Sequence, residues 1–104
     1  MAWPLFRVAV AEHSMLPVLY PGDWLLCRRT RHIRPDDLVI AHNPENPEML
    51  LVKRATRRRG DAAWWLESEN PYAGAVDSNH FGPVADSAIV GRVLVRYKRG
   101  PRSA

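Results

Sequence analysis

The sequence predicts a mainly β fold, a single small domain made of several short coiled sheets. Three observations carry that expectation. Short apolar, β-branched or aromatic runs recur along the chain, separated by stretches that carry Pro, Gly, Asn or Asp. Apolar residues nowhere keep helical spacing over three turns. At 104 residues there is room for one core and little for a second module.

Taken in order, residues 5–10 read as a first strand, with Phe6, Val8 and Val10 on one face and Leu5, Arg7 and Ala9 on the other. It runs into Ser14 and Pro17. Pro17 and the turn Pro21-Gly22-Asp23 bracket Val18-Leu19-Tyr20, which reads as a helical turn or a loop. Residues 24–29 form a second strand. An Arg-rich link ends at Pro35-Asp36-Asp37 and turns into a third strand at 38–41. Residues 43–47 are turn-forming by composition, and 49–55 read as the strand that carries Lys53. A basic turn at 57–61 leads into a fifth strand at 63–67. Residues 68–86 show no clear strand, and a loop of that length in a small domain is usually functional or poorly ordered. Residues 88–97 read as a long closing strand with a bulge or bend at Gly91. The domain takes in the whole chain, 1–104, with residues 98–104 expected to fray.

Composition narrows the function classes. The apolar fraction of 46% and charged fraction of 25% are those of an ordinary globular chain rather than a disordered one. No apolar run approaches the length of a bilayer span, and the first residues lack the basic and apolar regions of a signal peptide. With a lone Cys27, no intrachain disulfide can form. These features point to a cytoplasmic protein without a membrane anchor. The net charge is +4, and its cations are almost all arginine: only Lys53 and Lys98 are lysine. Arginine keeps its proton in proteins, whereas burial can make lysine release one. Lys53 follows Leu50-Leu51-Val52, the kind of surroundings that would do so.

Ser14 and Lys53 together form the smallest pair able to catalyse acyl transfer without histidine or metal. Ser14 stands on a tight, proline-bounded turn after an apolar strand, and Lys53 follows the apolar part of another. Bringing a lysine from about 10.4 to near neutrality costs on the order of 4 kcal/mol, within what burial can impose. Ser14 would then be the nucleophile and Lys53 the general base, with the Ser14 backbone N–H as first oxyanion donor. Without such burial, Ser14 merely shapes a turn and Lys53 snorkels from a strand edge.

Four boxes in order resemble the signal peptidase I family of serine proteases, with a fold like that of signal peptidase and LexA. Ser14-Met15-Leu16-Pro17 with Pro21-Gly22-Asp23 resembles the nucleophile box. Residues 35–40 resemble the following strand box, and Val52-Lys53-Arg54 with Gly60-Asp61 the general-base box. Asn70-Pro71, Asp77-Ser78, Phe81-Gly82-Pro83-Val84 and residues 89–93 resemble the closing box. Within the family the chain is similar to the small nickel-type superoxide dismutase maturation proteases. The resemblance implies a Ser14–Lys53 dyad, no cofactor, and removal of a short N-terminal extension from a precursor protein. For that branch the implied partner is a nickel superoxide dismutase precursor. Asp77 and Ser78 would brace the lysine or cap a turn, and Met15, Pro17 and Leu51 are the candidate lining of the substrate groove.

Three positions depart from the family pattern. Glu12 stands where some members place a serine that aids the oxyanion hole. Ala75 replaces a serine that often supports the lysine, and Asn79 an arginine often paired with the aspartate at 77. A degenerate, non-cleaving peptide binder is therefore one alternative. A nucleic-acid-binding module is the other, suggested by Arg28, Arg29, Arg31, Arg34 and Arg57, Arg58, Arg59. No nucleic-acid-binding motif accompanies those charges, so nucleic acid is not the expected partner. The four histidines lack metal-ligand spacing, so no metal is expected. His13, adjacent to the nucleophile, would point away from it on an extended chain. Trp24, Trp64 and Trp65 read as core or groove walls. Oligomeric state is not encoded in any recognisable pattern.

Overall fold

The computed structural model describes residues 3–70, 72 and 76–102. Among them, seven strands join into one antiparallel sheet. They are β1 (Leu5–Ala9), β2 (Trp24–Arg29), β3 (Leu38–Asn43), β4 (Asn46–Arg58), β5 (Ala63–Glu67), β6 (Val84–Ala85) and β7 (Ile89–Lys98). The spatial order is β1-β2-β7-β3-β4-β5-β6. The strands expected as several short sheets are thus continuous, because β7 pairs with both β2 and β3 and bridges the halves.

Two apolar clusters lie on either side of that bridge. Val39 and Ala41 of β3 pack with Ala55, Trp64, Leu66, Val84 and Ile89. Their neighbour Ile40 packs with Leu25, Cys27, Val10, Met15 and Leu19. Successive strand residues point to opposite faces, so β3 is buried on both and reads as an unbroken apolar run. Burial pushes the Cys27 thiol up to about 11. Gly91, at the crossing of β7 with β2, has no substitute: a Cβ there would lie 2.1 Å from the Arg28 carbonyl oxygen. The β7 register also shifts beside it, between the partners of Ile40 and Ala41.

Two regions differ from the sequence expectation. The stretch 68–86 contains a short helix, α1 (Ser78–Phe81), and the two-residue strand β6, both too short to show a periodicity. The segment expected to fray is docked as far as Arg102. Asp23, fully buried, accepts hydrogen bonds from the Tyr20 and Gly100 N–H groups at 2.9 and 2.8 Å and from Arg102 Nη1 at 2.8 Å. Arg96 adds a fourth contact at 3.3 Å, and the Arg102 guanidinium lies 4.0 Å from the centre of the Tyr20 ring. Burial alone would raise the Asp23 pKa, but these donors outweigh it and hold the carboxyl well below the usual range.

Candidate active site

The inward positions of β4 alternate as Leu51, Lys53 and Ala55, exposed by only 2%, 1% and 0%. Lys53 therefore occupies a slot that strand geometry reserves for apolar side chains. On the facing side, Ser14 is presented by a loop anchored at both ends. Val10 N–H donates to the Asp23 carbonyl and Gly22 N–H to that of Val10. Met15 and Leu19 pin its middle into the core, and Leu19 N–H donates to the Met15 carbonyl. Asn70 ties down the serine directly: its N–H donates to the Ser14 carbonyl at 2.8 Å and its side-chain amide to that of His13 at 3.0 Å.

The two predicted groups meet across this arrangement, Lys53 Nζ lying 2.8 Å from Ser14 Oγ. A third group, which the sequence did not single out, completes the contact: Ser68 Oγ lies 3.0 Å from the same nitrogen. Its placement follows from strand register. Arg54 pairs with Glu67 and Ala55 with Leu66, so the residue after Glu67 comes opposite Lys53. Burial pushes the Lys53 pKa down, while the charges of Glu12 and Asp77 pull it partly back.

Asp77 and Ser78 stand one step behind. Neither hydrogen-bonds Lys53. Asp77 caps α1 by accepting from Asn79 N–H at 2.9 Å, and its other oxygen accepts from Ser68 N–H at 3.0 Å. Those two backbone donors engage both oxygens of the carboxylate. Ser78 Oγ accepts from Leu66 N–H at 2.8 Å, fixing the end of β5. Ala75 and Pro71 lie outside the described residues. Arg54 points away from Ser14 and Lys53, toward Glu69 and the Asp36 carbonyl.

A groove of about 200 Å³ opens beside Ser14, between Val8–Glu12 on one side and Leu50–Val52 on the other. Met15 and Leu51 contribute to its floor although nearly buried. Pro17 does not line it; it is exposed on the outside of the turn that Leu16 N–H closes onto the His13 carbonyl. Glu12 is also exposed and faces the groove. Ser14 N–H donates to no group among the described residues and remains available.

The two basic clusters are partly absorbed by aromatic rings, Arg29 of the first lying 5.0 Å from the Phe6 ring centre. Arg57 and Arg59 each lie 4.9 Å from the Trp65 ring centre, and Arg58 stacks on Trp64 while pairing with Asp86. Among the described residues, no cluster of three or more His, Cys, Asp or Glu is arranged to hold a metal, and no helix is long and apolar enough to cross a membrane.

Residues 3–94 match the family model described as Peptidase S24-like. Mitochondrial ATP-independent inner membrane protease subunit 1a of Arabidopsis thaliana is 31% identical over 109 residues, covering 80% of this chain and 64% of the relative. Mitochondrial inner membrane protease subunit 1 of Xenopus tropicalis is 29% identical over 106 residues, covering 80% and 63%. Subunit 2 of the corresponding Schizosaccharomyces pombe protease is 31% identical over 87 residues, covering 67% and 48%. The chain spans less than two thirds of the length of each of these relatives. With nearly its whole length matched, the chain belongs to the Peptidase S24-like family.

Proposed function

We propose that this chain is a serine endopeptidase in which Ser14 is the nucleophile and Lys53 the general base. The observation that carries the reading is an almost fully buried amine 2.8 Å from a serine hydroxyl. A neutral amine has one lone pair and two N–H groups. With one N–H directed at Ser68 Oγ, the lone pair is free to accept the Ser14 proton as Oγ bonds to the peptide carbonyl carbon. The resulting ammonium returns the proton to the leaving nitrogen as the C–N bond breaks. Water then attacks the acyl-enzyme, Lys53 takes its proton, and the product carboxylic acid leaves with Ser14 restored. The Ser14 N–H is the first donor to the developing oxyanion.

The substrate in this reading is a precursor protein carrying a short N-terminal extension, processed in the cytoplasm. The resemblance of the four boxes to nickel-type maturation proteases makes the nickel superoxide dismutase precursor the substrate to test first. Co-expression followed by an intact-mass measurement of the precursor provides that test. The wild-type chain should shorten the precursor at its N-terminus, while Ser14→Ala and Lys53→Arg, both folded, should leave it whole. Equal shortening by either variant would remove the dyad from the mechanism. Stable capture of the precursor without shortening by the wild type would instead identify a peptide-binding protein.

A further inference from the structure

Glu12 is a carboxylate on an otherwise apolar wall. The groove beside Ser14 is lined by Val8, Val10, Met15, Leu51 and other small or aliphatic residues, and Glu12 is its one charged member. The side chain is exposed and, among the described residues, has no ion-pair or hydrogen-bonding partner. Only one residue separates it from the nucleophile. An unpaired carboxylate on an apolar surface attracts a cation more strongly than one surrounded by water and competing charges.

We infer that Glu12 selects the substrate: the groove takes an extended, small-apolar segment with one arginine or lysine side chain close to the scissile bond, paired to Glu12. This rests on the reading of the groove as a peptide site. It also couples selection to chemistry. The charged groups acting on Lys53 are Glu12 and Asp77, both favouring its ammonium form, and its polar contacts are Ser14 and Ser68. A substrate cation that neutralises Glu12 removes one of the two opposing charges and frees the lysine lone pair. A neutral peptide leaves that charge in place. The position at which the chain departs from a serine thereby becomes the one that distinguishes substrates.

Binding and turnover test this separately. Fluorescent peptides rich in Ala and Val, carrying one arginine or its neutral near-isostere citrulline at successive positions, are titrated against Ser14→Ala. At one or two adjacent positions the arginine peptide should bind roughly three- to tenfold tighter than its citrulline twin. The advantage should shrink in high salt and vanish in Ser14→Ala/Glu12→Gln. A ratio of one at every position, or an advantage that survives Glu12→Gln, overturns the inference. In turnover by the chain with Ser14 intact, the rate should rise at lower pH for the arginine peptide than for citrulline, and Glu12→Gln should bring the two profiles together. Profiles that already coincide with Glu12 present overturn the coupling. Glu12-dependent binding with no cleavage of any peptide would defeat the protease reading and leave this selection intact.

Discussion

Lys53 makes two hydrogen bonds to hydroxyls and no ion pair among the described residues, so burial disfavours its ammonium form and lowers its pKa, against the opposing charges of Glu12 and Asp77. With its folded pKa depressed, the unfolded chain binds more protons between that value and about 10.4, and stability rises with pH through the interval. Below the interval the side chain costs stability. Lys53→Met should therefore stabilise the fold at neutral pH by on the order of 1–3 kcal/mol while abolishing activity, as urea titration would show. A destabilised Met variant would mean that the amine is held charged. Ser68→Ala should lower kcat about tenfold, the worth of one hydrogen bond to the reacting amine, with KM little changed. An unchanged kcat would demote Ser68 to packing. The Ser14 and Lys53 pair is legible in the sequence because a hydroxyl on a proline-bounded turn and a lysine after an aliphatic run are unusual locally. Ser68 is not, because its role comes from the register of a hairpin and no residue beside it announces the contact.

The same contrast holds among the elements. β2 and β5 can be bounded from sequence because alternation and turn residues coincide at their ends. The N-terminal half of β4 is hidden by Pro47, which suggests a longer turn than the one formed at Pro44 and Glu45. β6 and α1 have too few residues to show a period, and the docked C-terminal segment depends on Asp23, 77 residues before Gly100. That carboxylate joins the segment after β7 to the loop carrying Ser14. Asp23→Asn should destabilise the protein by about 3 kcal/mol at neutral pH, measured by chemical denaturation. Because the folded pKa is depressed, the carboxylate's contribution is fully present above the ordinary aspartate value and fades only in stronger acid. Wild type and Asp23→Asn should therefore converge in stability only at very low pH. Gly91→Ala should cost at least about 2 kcal/mol, since the crossing strands must separate to admit a methyl group. Retention of full stability would show that β7 can shift to accommodate it.

Across the whole molecule, one continuous sheet with β7 shared between both halves ties the two apolar clusters into a single unit. Ser14 belongs to one cluster's loop and Lys53 to a strand flanking the other, so the two groups meet only when both are folded. Unfolding should be a single transition, with tryptophan fluorescence and far-ultraviolet circular dichroism changing together. Separate transitions would mean that the halves fold independently. Family membership fits this frame, while the proposed substrate choice rests on the groove and on Glu12.

The chain has only two lysines, so the protonation of Lys53 can be followed on its own. With lysine labelled by ¹³C at Cε, a Lys98→Arg variant leaves a single signal, that of Lys53, to be followed against pH. The Lys53 midpoint should lie far below the ~10.4 of a free lysine, and should fall further in Lys98→Arg/Ser68→Ala, which removes an acceptor that favours the ammonium form. A midpoint at the free-lysine value would contradict this, because a charged amine cannot take the Ser14 proton.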